Sequence, residues 1–343
     1  RQWNEKYEWP KLKTALSSTF FEEMEASGHQ FEVIKGAWPD WWTDGFGASA
    51  REVATTRTAQ SDFIANTAGL TMAAIQGAKL PSEIGNRINE TNAALLFYTE
   101  HTVGYHASVS APYHKYSMEQ KSLKESYAWE AGRRAKMLGE ETMGLLQNYI
   151  QREKEPSIVV YNTLNWERSG LIKVYIDHQI LPRYTSYSIT DQSGSQLKAQ
   201  PVEHHSDGTY WAIWVDKIPA FGYKKFIIKT DKNKAFAVSK SKTIDGNIFE
   251  NNFYKIGFDF TKGAIKSLID KDNNKELVDS KSRYKLGEYI YELLSNRSQM
   301  ESRVLNNFIR KGLDSVWYDG FEEGDIWNTV RLKGNTMAAN ENG

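Results

Sequence analysis

The spacing of hydrophobic residues changes once along the chain, close to Pro156, and this change separates a helical part from a β-rich part. Before Pro156, apolar residues recur every three to four positions, which is typical of helices with one buried face. The pattern predicts helices over the segments 11–27, 49–77, 81–100 and 117–155. Because short connections join the last three, the sequence predicts a three-helix bundle.

Two capping sequences mark the expected starts of bundle helices. Ser49 is followed three positions later by Glu52, and Ser117 is followed by Gln120. In such a capping box the serine hydroxyl accepts a hydrogen bond from the first helical turn, and the second side chain accepts one from the serine N–H. The first and third bundle helices are therefore expected to begin at these serines.

After Pro156 the apolar period falls to two, which is the spacing of a strand with one buried face. Strands are predicted over 158–161, 171–176, 210–215, 226–228 and 254–260. A turn at 261–263 is expected to close a hairpin onto residues 264–269. The polar segment 231–246 predicts a linker, and a short apolar run at 31–34 predicts one earlier strand.

The length of the chain, 343 residues, exceeds what one hydrophobic core usually supports, so several domains are expected. The predicted fold class is multi-domain α+β, with a three-helix bundle followed by antiparallel β-sandwich domains. The bundle is placed at 48–155, one β domain at 156–240, and the start of a second, incomplete β-sandwich at 241–343.

Composition excludes several classes of function. Lysine and arginine together number 43, as do aspartate and glutamate, so the formal net charge is zero. Net charge gives no attraction to nucleic acid or anionic membranes, and neither is expected as a partner. The sequence has no cysteine, which excludes disulfides, thiolate metal sites and cysteine nucleophiles. These features leave the cellular compartment undetermined.

The densest chemical signal is an aperiodic loop at residues 36–45. Its aromatic and acidic residues are Trp38, Asp40, Trp41, Trp42 and Asp44. Indole faces pack against the C–H face of a pyranose, and carboxylates accept hydrogen bonds from sugar hydroxyls. One interpretation is a carbohydrate platform. The alternative is that these tryptophans pack one domain against the next.

Two histidines, His101 and His106, lie where the second bundle helix is expected to end. Imidazole is the commonest side-chain ligand for metals, so this segment is a candidate metal site. The alternative is that each histidine caps the helix or hydrogen-bonds to a neighbour. The spacing of zinc proteases, with a glutamate between two histidines on one helix, is absent.

A set of short motifs occurs in a fixed order along most of the chain. They lie at 3–10, 38–45, 100–104, 161–168, 219–223, 250–254 and 263–268. They include Trp38-Pro39-Asp40-Trp41-Trp42-Thr43-Asp44-Gly45, Glu100-His101-Thr102-x-Gly104 and Tyr161-Asn162-Thr163-Leu164-Asn165-Trp166-Glu167-Arg168, and it is the ordered set that is specific. Together they resemble glycoside hydrolase family 38, the zinc-dependent α-mannosidases.

The resemblance implies an α/β catalytic barrel followed by the bundle and the β-sandwiches, with residues 1–47 as the C-terminal remnant of the barrel. In the family, Zn²⁺ is held by an early His-x-Asp pair, the aspartate nucleophile and one late histidine, which His101 matches. Trp41 or Trp42 would form the aromatic floor of the sugar subsite, and Asp44 would meet sugar hydroxyls. The other metal ligands and the nucleophile would precede Arg1, on the missing barrel, so no catalytic residue is expected in this chain.

The function implied by the resemblance is retaining hydrolysis of α-mannosides in glycan degradation or processing, with an oligosaccharide as substrate. One carboxylate attacks the anomeric carbon while a second protonates the leaving oxygen. The chain alone is expected to be inactive and to hold an incomplete zinc site. The alternative function is that of a non-catalytic carbohydrate-binding or scaffold module.

Overall fold

The computed structural model describes residues 2–36, 43–103, 106–235, 247–296, 298–302 and 308–337. It is a mixed α+β structure with several small antiparallel sheets. Contacts between Cα atoms divide the chain into two compact units, Arg1–Asp44 and Gly45–Gly343. The finer division into four domains stays a prediction.

The first unit contains two short helices. Helix α1 spans Gln2–Lys6 and α2 spans Ser17–Ala26, and neither buries a side chain. The strand predicted at 31–34 is wrong, because this segment has no regular structure and its apolar side chains are exposed. A strand needs a neighbour that satisfies its backbone polar groups, and residues 2–36 contain no other strand.

Three long helices begin the second unit. After the single turn of α3 (Thr43–Gly47), they are α4 (Ala50–Ile75), α5 (Ile84–Thr99) and α6 (Lys115–Leu146). They pack around Leu95 and four small side chains, namely Ala59, Ala94, Ala131 and Ala135. Small residues let helix backbones approach closely. A Cβ added to Gly69 of α4 would lie only 2.6 Å from Cγ2 of Thr142 on α6.

The helix ends differ from the capping prediction. Ser49 is the N-cap of α4, but its side chain makes no capping hydrogen bond. Helix α6 begins before Ser117, because Nδ1 of His114 accepts a hydrogen bond at 3.3 Å from the backbone N–H two residues on. It ends at Leu146 rather than at residue 155, since residues 151–155 are all polar and offer no side chain to bury.

Two three-stranded antiparallel sheets follow the helices. The strands are β1 (Ser157–Asn162), β2 (Arg168–Asp177), β3 (Thr185–Thr190), β4 (Ala199–His204), β5 (Gly208–Ile218) and β6 (Gly222–Ala235). Their orders are β1-β6-β3 and β2-β5-β4. Side chains from both sheets, including Ile189, Ile213 and Phe226, share one hydrophobic core. The four predicted strands of this region are confirmed, whereas β3 and β4 were not predicted.

The last part of the unit contains smaller sheets. Strands β7 (Ile248–Glu250), β8 (Tyr254–Asp259), β9 (Ala264–Asp270) and β10 (Lys275–Glu276) form one sheet in the order β10-β9-β8-β7. Two further pairs are β11 (Tyr291–Leu294) with β12 (Phe308–Lys311) and β13 (Ser315–Glu322) with β14 (Thr329–Asn335), and α7 spans Ser298–Ser302. The hairpin predicted at 261–263 is confirmed, with Gly263 at a φ of 63°. Within the described residues, no helix has the length and apolarity that crossing a membrane requires.

One glutamine joins the two β regions. The backbone N–H groups of Ile326 and Trp327, in the loop 323–328 between β13 and β14, donate to Oε1 of Gln200 on β4, each at 3.2 Å. Gly324 allows this close approach, because an added Cβ would lie 2.1 Å from that oxygen. The amide of Gln200 therefore fixes the loop against the edge of the β2-β5-β4 sheet.

Gly324→Ala is expected to push the Gln200 amide away and break both hydrogen bonds. Amide hydrogen exchange at Ile326 and Trp327 should accelerate roughly tenfold, the order expected for loss of a hydrogen bond. Gly312→Ala is the matched control, since its added Cβ would meet nothing nearer than 3.7 Å. Equal exchange rates in wild type and Gly324→Ala would show that Gln200 does not hold the loop.

Candidate functional site

The residues predicted to form the sugar platform lie outside the part of the chain that the structure describes. These are Trp38, Asp40, Trp41 and Trp42, and of Asp44 only the backbone, within α3, is described. Their role in sugar binding stays a prediction. His101 itself is described, and the site is built around it.

His101 lies directly after α5, where the helix is ended by its C-cap residue Glu100 in an extended conformation. The imidazole is 69% exposed, and its Nδ1 lies 2.7 Å from Oε1 of Glu100. When the ring is neutral, this bond places the hydrogen on Nδ1 and the lone pair on Nε2. Metal-binding histidines commonly have this arrangement, in which a carboxylate holds the other ring nitrogen.

A network of hydrogen bonds fixes the Glu100 carboxylate. Thr102 donates to it twice, from Oγ1 at 2.9 Å and from its backbone N–H at 3.1 Å. The ammonium of Lys124 donates to Oε2 at 3.0 Å and to the backbone carbonyl of Glu100 at 2.8 Å. The bonds from Lys124 and Thr102 lower the pKa of Glu100 to about 2. The carboxylate therefore stays ionised, and able to orient His101, over nearly the whole acidic range.

Lys124 is an unusual residue for its position, because it is only 8% exposed on α6. It follows the spacing of the buried face of that helix, which continues through Ala128, Ala131 and Ala135. A lysine at such a core position needs a charged or polar partner, and Glu100 supplies it. Lys124 interrupts the apolar pattern of α6 in the sequence. This interruption could have indicated that Lys124 pairs with a carboxylate such as Glu100.

Buried hydroxyls without hydrogen-bond partners lie in these same helices. Those in the described residues are Ser49 Oγ, Thr56 Oγ1, Tyr98 Oη and Ser117 Oγ. Tyr98 is on the last turn of α5, three residues before His101, and is 1% exposed. Burial, together with the charges of Glu52 and Glu125, raises the pKa of Tyr98 to about 12. The phenol is therefore a neutral donor, and its place on the apolar face of α5 is the one sequence feature that could have indicated its burial.

The start of the second unit lies against the segment that carries His101. The rings of Phe46 and Tyr98 meet edge to face, with centroids 6.0 Å apart. A Cβ added to Gly45 would lie 2.7 Å from both Cβ and the carbonyl oxygen of Val103. Residues 45 and 46 therefore pack beside the end of α5 and the loop that follows it.

The donor set at His101 fits one ligand of a metal ion but not a complete site. The contact from Nδ1 to Glu100 leaves Nε2 as the ring nitrogen that would bind a metal. Among the described residues, no group of three His, Asp or Glu side chains could hold a metal. Catalytic zinc normally has three protein ligands, so any further ligands must come from outside the described residues.

Lys124→Met is expected to raise the pKa of Glu100 from about 2 toward its usual 4.5, because the largest stabilisation of the carboxylate is removed. A carboxyl group with a lowered pKa stabilises the fold fully above pH 4.5 and loses that contribution as the pH falls toward 2. The variant should therefore lose less stability than wild type over this range. Carboxyl-detected NMR titration and urea unfolding measure the two effects.

Lys121→Met is the matched control for this prediction. Lys121 is on the same helix, and its exposed ammonium lies 3.5 Å from the half-buried carboxylate of Glu125. An ion pair with an exposed partner contributes little to stability, and this pair does not include Glu100. The control should therefore leave the titration of Glu100 unchanged. A Glu100 pKa near 2 in Lys124→Met would show that Lys124 does not hold the carboxylate.

Comparison with solved structures identifies a similar fold. A protein in the glycosyl hydrolase family 38 from Enterococcus faecalis matches with a TM-score of 0.52 and 14% sequence identity, over 96% of this chain and 41% of that one. An alpha-mannosidase from Enterococcus faecalis matches with a TM-score of 0.47 and 14% identity, over 77% of this chain and 31% of that one. No protein-family model and no curated protein matches the sequence.

The chain spans about two fifths of the first of these structures. The first match confirms the resemblance to family 38 at the level of the fold, and 14% identity carries the comparison no further. The second has too low a TM-score to support an argument. The fold of this chain is thus similar to a portion of a family 38 glycosyl hydrolase.

Proposed function

We propose that this chain is a fragment of a retaining α-mannosidase that holds the end of the catalytic barrel and the domains that follow it, with an α-mannoside or oligosaccharide as the substrate of the whole protein. The observation that carries the proposal is the similarity in fold to a family 38 protein over 96% of the chain. The ordered motifs, which include the one around His101, agree with it.

The proposed architecture assigns residues 1–47 to the end of the barrel, the three long helices to the bundle and the sheets to β-sandwiches. The first unit supports the assignment, because α1 and α2 bury no side chain. Trp9, Leu16 and Phe21 are each more than half exposed, so this unit has apolar surface for a missing partner. The missing catalytic barrel of the same protein is the proposed partner.

The proposed role of His101 is to supply one ligand to Zn²⁺ through Nε2. When bound, the ion would orient sugar hydroxyls and stabilise developing charge. Glu100 sets the orientation of the imidazole, and Lys124 holds Glu100 from the buried face of α6. The chain thus contributes a rigid single ligand, and the barrel contributes the rest of the site and the catalytic carboxylates.

The proposed role of the loop at 36–45 is to bind the sugar. Trp41 or Trp42 forms the floor beneath the pyranose, and the carboxylates of this loop accept hydrogen bonds from its hydroxyls. The composition of the loop supports this role, because three of its ten residues are tryptophans and two are aspartates.

His101→Ala is expected to lower kcat/KM of the longer, barrel-containing protein on an aryl α-mannoside by about 100-fold or more, since a metal ligand is lost. Glu100→Gln should lower kcat/KM by about 10- to 100-fold, which is the usual effect of removing a group that orients a metal ligand. His205→Ala is the control, because His205 also contacts a carboxylate, Glu203 at 3.1 Å, but lies in the β region.

Activity of His101→Ala equal to wild type would remove the metal-ligand role. Binding of mannosides by the longer protein without any hydrolysis would favour the alternative, a non-catalytic carbohydrate-binding or scaffold module. The present chain alone is expected to release no product from the aryl mannoside, because no nucleophile is assigned to it.

Zinc binding by the present chain alone is expected to be weak, because a catalytic site needs three protein ligands and this chain is assigned one. Titration calorimetry with Zn²⁺ should show no tight, stoichiometric binding, and His101→Ala should lower whatever affinity remains. Tight one-to-one binding by wild type would contradict the assignment of a single ligand.

A further inference from the structure

A cavity of about 540 Å³ lies between the β2-β5-β4 sheet and the loop 323–328. One side is formed by β4, β5 and the chain that enters β3, and the other by the end of the β13–β14 hairpin. The hydrogen bonds from the loop to Gln200 hold the two sides together. The volume is within the range of small-molecule sites, so the cavity can be examined as a binding site.

Aromatic side chains form the floor of this cavity. The rings of Tyr187 and Trp211 meet edge to face at 4.7 Å, and Tyr184 lines the rim. Trp211 is 6% exposed, and its Nε1 has no hydrogen-bond partner among the described residues. The floor therefore combines apolar ring surface with an indole N–H whose hydrogen bond is unmade.

Charged groups of both signs line the same cavity. Arg331 is paired with Glu322 at 2.6 Å. Arg183 and Asp325 form no ion pair within the described residues, although the guanidinium of Arg183 lies 4.8 Å from the centre of the Tyr184 ring. Glu323 also lines the cavity.

One histidine completes the titratable groups of the lining. His204 accepts or donates a hydrogen bond with Thr209 at 2.9 Å, and burial lowers its pKa, so the ring is neutral at neutral pH. The lining thus holds three carboxyl groups and two guanidinium groups, so neither sign dominates the cavity.

This distribution of charge selects the ligand. An anion in this cavity would share it with the carboxyl groups of Glu322, Glu323 and Asp325, and a cation would share it with the guanidinium groups of Arg183 and Arg331. A neutral molecule with many hydroxyls avoids both conflicts, because some of its hydroxyls can accept from Arg183 while others donate to Asp325. Its C–H face would pack on the tyrosine rim while its hydroxyls reach these two side chains.

We propose that the cavity between β4 and the loop 323–328 binds a neutral saccharide of one or two pyranose rings, held by Arg183 and Asp325 over the aromatic floor. The inference goes beyond the proposed hydrolase function and depends on none of the residues around His101.

The test is calorimetric titration of the full chain with methyl α-mannoside, methyl α-glucoside and maltose. A dissociation constant of about 1 mM is expected for a monosaccharide, from the usual free energy per ligand atom. Arg183→Gln and Asp325→Asn should each weaken binding at least tenfold, with melting temperatures unchanged from wild type. Because these two side chains are exposed, neither substitution should disturb folding.

Arg283→Gln is the matched control. Arg283 also lies over the ring of the tyrosine that follows it, at 5.3 Å, but it does not line the cavity. Its substitution should leave saccharide affinity within about twofold of wild type. Equal losses in Arg183→Gln and Arg283→Gln would contradict a local site.

Charged probes decide the chemistry of the ligand. Choline, inorganic phosphate and glycine betaine represent a cation, an anion and a zwitterion, and each is expected to bind more weakly than the saccharides. Tighter binding of any of them, lost in Asp325→Asn or Arg183→Gln, would overturn the assignment to a neutral saccharide. Absence of saccharide binding at tens of millimolar would overturn it as well. None of these outcomes bears on the activity tests of His101.

Discussion

The site around His101 depends on the contact between a buried ammonium and a carboxylate. Lys124 occupies a position on the buried face of α6 and reaches both the side chain and the backbone carbonyl of Glu100. Burying a lysine is unfavourable unless a partner compensates the lost hydration, and Glu100 is that partner. Glu100 in turn ends α5 and bonds to the imidazole of the next residue. A contact in the core of the helices therefore determines the orientation of the exposed imidazole of His101.

The packing of the helices explains why this contact can be rigid. Alanines fill the interface, and Gly69 leaves no room for a further methyl group. In such an interface a shift of α6 relative to α4 meets repulsion at once, so Lys124 has little freedom to move. Loops supply the polar chemistry, as they often do when a stiff frame supports them. The same division appears in the β part, where Gln200 of a strand fixes the loop that carries Asp325.

Much of the fold followed from periodicity, because helices and strands with one buried face leave clear patterns. The positions of the three long helices and of strands such as β2 and β5 were predicted in this way. The ends of the helices were not predicted correctly, because a cap depends on which side chain reaches the first turn. His114, rather than the expected Ser117, is the N-cap of α6. Strands β3 and β4 were missed because their burial depends on the second sheet rather than on their own alternation.

The candidate site was predictable in part. The motif around His101 marked this histidine as a candidate metal ligand. The hydrogen bonds that hold Glu100 beside it depend on Lys124, which is distant in sequence and becomes a neighbour only when α5 and α6 pack. No local pattern could reveal that Arg183 and Asp325 line one cavity, because they are distant in sequence and belong to two different β regions. The tryptophan-rich loop at 36–45 differs, because its composition alone made it a candidate for sugar binding.

The central claim is that His101 presents Nε2 to a metal ion that completes its coordination on the missing barrel. The most direct test is a crystal structure of the longer protein with diffraction data collected at the zinc absorption edge. The claim predicts an anomalous peak about 2.1 Å from Nε2 of His101, with Nδ1 still bonded to Glu100. A zinc peak bound elsewhere, or an imidazole turned away from it, would contradict the claim.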